Sequence, residues 1–372
     1  MRVTLPSSHL MTGKRKRGGE NLLRDTTAEF QEALLRWFAR HRRDLPWRRT
    51  PTPYRVWISE ILLQQTRVRA ALPYYERFLK RFPNVRSLAR ASESDVLELW
   101  AGLGYYMRAR NLRQAAARIV SEYHGKVPET SDELLSLPGI GRYTAGAILS
   151  IAFNQPTPIV DGNVRRLICR LHGITGRRNE EFFWRQATAW LPPGRASEFN
   201  QAVMELGALV CLPSGPLCPN CPVSGFCKAR SRGIAHRIPP SRPKRAFKSI
   251  LFALLVAECD GRVLLSEKHV ADFVPGKWGL PAATITSAQT AQSAASSLAR
   301  GALGISIPLQ PAGAVSHAIT YRRIQAQVFR AGLDGKSGLP QPRAGCSWVG
   351  RSEADRLLTS SLFRKALRAR SS

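Results

Sequence analysis

From Thr26 to Cys227 apolar residues recur at three- and four-residue intervals, and after Lys248 the interval shortens to that of strands. Phe30, Leu34, Leu35 and Phe38 line one face of a helix predicted over Thr26–Arg42, which Leu45-Pro46-Trp47-Arg48 breaks. Further helices are predicted over Val56–Gln65, Leu72–Lys80, Ser94–Trp100, Ala109–Glu122, Ser131–Ser136, Tyr143–Ala152 and Gly162–His172. Their connections are short, so residues 26–227 read as one all-α domain. Residues 228–248 hold Arg232, Arg237, Arg242, Lys244, Arg245 and Lys248 with Pro239, Pro240 and Pro243 and no acid, the composition of an extended basic linker. Beyond it, Ile250–Ala257 and Arg262–Ser266 predict two strands joined at Asp260-Gly261. Gln289–Arg300 predicts a helix, Ile324–Phe329 a strand and Ala354–Arg368 a helix, so residues 249–372 read as a smaller α/β domain. Residues 1–25, with Lys14-Arg15-Lys16-Arg17, read as a flexible basic arm without the apolar core of a secretory signal.

Charge narrows the function. Against 26 acidic residues stand 56 basic ones, a net charge of +30. Such a chain attracts polyanions. An excess of Arg from codon bias accounts for part of this, but not for the scarcity of acids. An anionic membrane surface is the main competitor to nucleic acid. No clean basic amphipathic helix supports it, and no run of about 18 apolar residues spans a bilayer. A nucleic acid, with no membrane partner, is the expectation, and a monomer the expected state. Seven cysteines, an odd number, argue against a complete disulfide framework and for a reducing compartment. A bacterial cytoplasm, at the nucleoid, fits first; an organelle or nucleus stays open.

Four of the cysteines, Cys211, Cys218, Cys221 and Cys227, form C-x6-C-x2-C-x5-C. Zinc sites favour paired short knuckles, and only Cys218 and Cys221 make one. Four thiolates with uneven gaps suit an iron–sulfur cube better than zinc, in a structural rather than a redox role. Upstream, Thr130 and Glu133 make a capping box, and Leu137-Pro138-Gly139-Ile140-Gly141 joins two helices. Gly139 and Gly141 permit a tight turn that offers backbone N–H groups to a DNA phosphate. Asp161 follows by one helix and reads as an N-cap placed beside the gripped backbone. Glu60 interrupts the apolar run Trp57–Thr66, so it is either costly or paired. Cleaving a glycosidic bond needs one carboxyl of raised pKa and one ionised carboxylate. Glu60 suits the acid, and Asp161 at a helix N-terminus suits the anion.

These motifs, with Ser59–Thr66, Leu103-Gly104-Tyr105-Tyr106, Asp161-Gly162-Asn163-Val164 and Phe199-Asn200-Gln201, resemble the helix-hairpin-helix DNA glycosylase superfamily. Within it they resemble the adenine DNA glycosylases. The related endonuclease III-like enzymes, which act on oxidised pyrimidines as glycosylase and lyase, carry a Schiff-base lysine where this chain has Tyr143. The resemblance therefore implies a monofunctional glycosylase with a [4Fe–4S] cluster on the four cysteines. Its substrate would be adenine mispaired with 8-oxoguanine or guanine in double-stranded DNA, flipped out for base excision repair. It implies Glu60 as the acid, Asp161 as the stabilising anion, and Tyr143 and Asn163 as their supports. Arg48 and Gln201 would contact the flipped adenine; Gln65, Thr66, Leu103 and Tyr105 would wedge into the duplex and meet the opposite base. The C-terminal domain resembles a Nudix-like module through Val263-Leu264-Leu265 and Trp278-Gly279-Leu280-Pro281. No acid lies between Pro281 and Ile305, which argues against a hydrolase metal site. The family's Phe-Ser-His lesion-sensing loop is Val315-Ser316-His317 here, so Ser316 and His317 would touch the damaged base.

Overall fold

The computed structural model describes residues 17–240, 247–267, 274, 278–286, 290–319, 321–334 and 339–369, with side chains from residue 27 onward. Most of the expected basic arm lies outside the described residues. Two compact units emerge: Met1–Gln65 with Arg118–Arg242, and Thr66–Ala117 with Pro243–Ser372. The expected helical domain over 26–227 contributes residues to both units.

The first unit is helical. Arg17–His41 presents Phe30, Leu34, Leu35 and Phe38 to a core completed by Val164, Leu167 and Ile168 and by Phe199, Ala202, Val203 and Leu206. The last four sit on Ala196–Leu209, a helix that the periodicity reading passed over, as it did Glu180–Ala189. Side-chain caps start several helices: Thr52 before Pro53–Leu63, Thr130 before Ser131–Ser136, Asp161 before Gly162–His172. The expected helix over Tyr143–Ala152 is Arg142–Ala147 followed by a π-turn, Ile148–Ala152. Helices Gly162–His172 and Ala196–Leu209 cross closely at Gly207, where a Cβ would lie 2.5 Å from Asn163 Cβ. The expected linker starts late. Lys228–Ser231 is helical, Ala235–Arg237 is a 3₁₀ turn, and Ala229, Ala235 and Ile238 are buried in the first core. Three apolar side chains within this basic, Pro-rich stretch outweigh its charge, because each gains burial that a solvated tether would forgo.

The second unit holds the helices Val68–Arg81, Val85–Arg90 and Glu93–Trp100, where Phe78 packs edge-on against Phe82 and Trp100. Among the described residues its sheet has six strands: β1 Lys248–Cys259, β2 Arg262–Ser266, β3 Ala282–Thr284, β4 Gln310–Ile319, β5 Arg322–Leu333 and β6 Cys346–Gly350. The order is β4-β5-β1-β2-β6, with β3 also on β1, and β1 runs parallel to β5. A central strand buried on both faces reads as a continuous apolar run, which is what Ile250–Ala257 is. Phe252, Leu254 and Val256 face one helical layer with Leu362, Phe363 and Ala366. Leu255 and Ala257 face the other, with Ala299, Ala302 and Leu303 of the helix Ala291–Leu303. The single helix expected over Ala354–Arg368 is two, Arg351–Leu357 and Ser361–Arg368, broken at Leu358-Thr359-Ser360. Apolar periodicity continues across the break, so it carried no signal of the interruption. Among the described residues no helix is long and apolar enough to cross a membrane.

The Gly207 crossing gives a direct test. Gly207→Ala forces Asn163 and its helix outward, and overpacking of this kind costs about 1–3 kcal/mol. Urea denaturation of the full chain should show that loss.

Candidate active site

Glu60 lies one turn from the end of Pro53–Leu63, a helix whose residues Tyr54 and Val56 through Leu62 are all buried. Only 6% of Glu60 is exposed. Burial pushes its carboxyl up to about 7, the hydrogen bond from Tyr143 opposes the rise, and the charge of Asp161 adds to it. Arg48 is also close enough to favour the ionised form. Tyr143, at the start of the hairpin's second helix, has its own hydroxyl pushed far up by burial and by the charges of Glu60 and Asp161. It also contacts Met204 Sδ at 3.3 Å. The two carboxylates that the sequence singled out thus share one electrostatic environment, with Tyr143 in contact with the acid.

Asp161 is an N-cap. Its Oδ1 accepts from Val164 N at 2.7 Å, and its Oδ2 accepts from Asn163 Nδ2 at 2.8 Å. The helix it caps extends that order toward the cysteines. Arg166 donates to Asn163 Oδ1 at 2.8 Å, to Gly207 O at 2.7 Å and to Cys211 O at 2.7 Å. One turn on, Arg170 donates to Cys211 Sγ at 3.2 Å, to Leu212 O at 2.7 Å and to Ile238 O at 2.8 Å. Cys211, Cys218, Cys221 and Cys227 line one cavity, and none is in a disulfide. Burial pushes the Cys221 thiol up to about 11, and the other three cysteines add to the rise. Cys227 is raised as well, by burial first. Thiols raised in this way need cationic charge beside them to ionise.

Sequence reasoning missed Glu205. It sits on the buried face of Ala196–Leu209, its side chain 1% exposed, in the setting that betrayed Glu60: a carboxylate at helical spacing among apolar neighbours. Arg48 grips it through both terminal nitrogens, at 3.0 and 2.9 Å, and Arg43 through Nε at 2.9 Å and Nη2 at 2.6 Å. Burial would raise the Glu205 carboxyl, but the hydrogen bonds from Arg43 and Arg48 override it and hold the group at about 2. Arg48, expected on the flipped base, is therefore fixed by a carboxylate behind it. Gln201 lies on the same helix, part-buried, donating to Ser197 O at 3.2 Å. At the hairpin turn Gly139 takes φ 78°, and Gly141 is the exposed N-cap of Arg142–Ala147.

The remaining candidates divide between the units. Gln65 ends the first and Thr66 begins the second. Leu103 and Tyr105 join His317 around one cleft of about 540 Å³ in the second unit, and exposed Ser316 is the neighbour of His317 on β4. Burial first, then Lys365, lowers the His317 pKa, so its ring is neutral at pH 7 and offers one donor and one acceptor. Gln65 and Tyr105 both hold positive φ, 56° and 51°, unusual for side chains of this size.

Comparison with known proteins places these features. A family model described as HhH-GPD superfamily base excision DNA repair protein matches residues 58–193. The chain is 33% identical to the adenine DNA glycosylase of Homo sapiens, across 94% of this chain and 75% of that protein. It is 42% identical to the adenine DNA glycosylase of Buchnera aphidicola subsp. Baizongia pistaciae, across 55% of this chain and 59% of that one. A thermostable thymine-DNA glycosylase of known structure superposes with a TM-score of 0.53 and 29% identity, covering 56% of this chain and all but 1% of its own, 99%.

Removing the Glu205 charge should be costly. Glu205→Gln leaves two guanidinium groups without their buried anion, a loss of about 3–5 kcal/mol in denaturation at pH 7. The native carboxyl is depressed, so its contribution is present above the ordinary Glu range and disappears as pH falls toward 2. The gap between variant and parent should close over that window; a cost under about 1 kcal/mol at pH 7 would reduce the clamp to the standing of a surface pair.

Proposed function

The chain belongs to the adenine DNA glycosylase family, and on that premise we propose that it excises adenine paired with 8-oxoguanine, or with guanine, from duplex DNA. It is a DNA glycosylase of the base excision repair class. What supports the finer reading is the Glu60 carboxyl, held at about 7 by burial, close to an Asp161 carboxylate whose two oxygens accept from Val164 N and Asn163 Nδ2.

The adenine leaves the stack and enters the space before Glu60. Glu60 delivers its proton to N7 of the base. The electron pair of the breaking C1′–N9 bond then passes into a neutral purine instead of an anion. Positive charge develops on the sugar, and the Asp161 carboxylate stabilises it. Water adds to C1′ and its proton goes to the Glu60 carboxylate, which restores the acid. Tyr143 supports Glu60, and Asn163 orients Asp161. Arg48, anchored by Glu205, and Gln201 hold the flipped base. No amine stands at position 143, so no Schiff base forms there and the reaction ends at the abasic site. Gly139 and Gly141 grip a phosphate through the hairpin backbone. Gln65, Thr66, Leu103 and Tyr105 enter the duplex, and Ser316 and His317 meet the 8-oxoguanine. The enzyme acts as a monomer.

Cys211, Cys218, Cys221 and Cys227 fit a [4Fe–4S] cluster. They surround a cavity, and Arg170 and the burial of Cys211 seal one side of it. Bound there, the cluster would supply a structural staple for the loop. Purified protein should hold about four irons per chain with broad visible absorption. Stoichiometric zinc in its place would refute this assignment.

Single-turnover base release on an A:8-oxoguanine duplex separates the two carboxylates. Glu60→Gln should lower the rate by about 10²–10⁴-fold, the range of a general acid. Asp161→Asn should lower it by about 10²–10³-fold or more while the protein keeps its fold and binds the duplex, because Asn caps a helix as well as Asp. In the parent enzyme the rate should be flat below neutrality and fall as pH rises through about 7, where Glu60 loses its proton. Full activity in Asp161→Asn, or a rate that climbs through pH 7, would remove the mechanism.

A further inference from the structure

Tyr143 has one hydrogen to give and two side chains that can take it. A phenol carries a single O–H, which makes one directed donation at a time. Glu60 is one taker: the hydroxyl bonds to its carboxyl and favours the ionised form. The other is the thioether of Met204, which accepts from the Tyr143 hydroxyl with Sδ at 3.3 Å. Met204 lies half-buried on Ala196–Leu209, packed against the first core. Gln201 is one turn before it, and Glu205, which clamps Arg48, directly follows. A thioether accepts weakly and donates nothing. It loses the phenol's hydrogen to a carboxylate, but it competes with a protonated carboxyl, which is itself a weak acceptor.

The surroundings of Glu60 make this competition count. Its helix packs against Pro46–Arg49, Arg142–Ala147 and the π-turn Ile148–Ala152. The π-turn carries no titratable side chain. Arg142 pairs with Glu181, and Arg49 with Asp44, both at the surface. Among the described residues Tyr143, Arg48 and Asp161 are left to set the charge of Glu60. Arg48 is fixed by Glu205, and Asp161 by Val164 N and Asn163. Tyr143 can change acceptor by turning one O–H.

We propose that Met204 is a positioning residue for the acid: its sulfur takes the Tyr143 hydrogen while Glu60 is protonated and yields it once Glu60 is a carboxylate. In the first arrangement the Tyr143 oxygen keeps its lone pairs for the Glu60 O–H, until an incoming base takes that proton. In the second the phenol turns and donates to the carboxylate just formed. No proton passes between residues in the turn; only the direction of one O–H changes. The sulfur thereby holds Glu60 protonated to a higher pH than Tyr143 alone would allow, and leaves the phenol ready to stabilise the conjugate base. The inference rests on the reading of Glu60 as the acid of adenine release and gives Met204 a part in that step.

The test follows the ionisation of Glu60 in the full-length protein by two routes. Difference infrared spectroscopy across pH, without DNA, reads the protonated carboxyl through the band that Glu60→Gln removes. Single-turnover adenine release on an A:8-oxoguanine duplex reads the same group through the descending limb near pH 7. Met204→Leu keeps nearly the same volume and offers no lone pair. Tyr143 then donates to Glu60 at every pH, so both midpoints should move down by about half a unit to one unit, the scale of one modest hydrogen bond. In the Tyr143→Phe background the phenol hydrogen is gone, and adding Met204→Leu should leave the infrared midpoint where Tyr143→Phe alone puts it. An unmoved or raised midpoint in Met204→Leu overturns the proposal. So does an equal downward shift in the Tyr143→Phe background, which would mark a packing effect. Should the parent release no adenine, the acid reading falls, while the infrared titration still decides the Met204 switch.

Discussion

A carboxyl that holds its proton up toward neutral pH has to be kept from water, and that demand organises the first unit. The Pro53–Leu63 helix buries seven residues in succession from Val56 to Leu62, with Glu60 among them. A carboxyl surrounded in this way gives up its proton reluctantly. Tyr143 satisfies it by a hydrogen bond, and the nearby negative charge of Asp161 strengthens its hold on the proton. The same burial would be ruinous for an unpaired ionised group, so Glu205, the second carboxylate in an apolar helix, is met by two arginines. One carboxylate is tuned chiefly by burial and the other by the two arginines that pair with it.

The helix Gly162–His172 acts as the ruler of the site. Its N-cap sets the Asp161 carboxylate, Asn163 fixes the rotation of that group, and Arg166 fixes Asn163. Arg166 and Arg170 spend their remaining donors on carbonyls and a sulfur of the cysteine loop. Gly207 brings the neighbouring helix to the distance at which this pattern closes. A displacement of the cysteine loop would therefore reach Asp161 through two side chains, Arg166 and Asn163, on a single rigid element.

The sequence made some of this legible and hid the rest for identifiable reasons. Glu60, Asp161 and the four cysteines stood out because each broke a local pattern: an acid in an apolar run, a cap beside a Gly-rich turn, thiols too closely spaced for chance. Glu205 broke a pattern of the same kind, but its helix had not been recognised, so its neighbours supplied no contrast. The long apolar strand was evident from Ile250–Ala257, whereas β4, with alternating exposure and few large apolar residues, was not. The folded start of the supposed linker was hidden by composition, since Ala229, Ala235 and Ile238 are scattered among arginines. The affiliation of residues 66–117 is a matter of long-range contact, which local periodicity does not encode.

Two backbone positions carry a further lesson. Gln65 and Tyr105 both occupy the left-handed region, where a side chain is held against its preference at roughly 1–3 kcal/mol each. Glycine would relieve that tension at either place. A laboratory lineage selected only for heat tolerance should drift toward it, arriving at a sturdier molecule that, on the function proposed above, has become blind to what lies across the helix from its quarry.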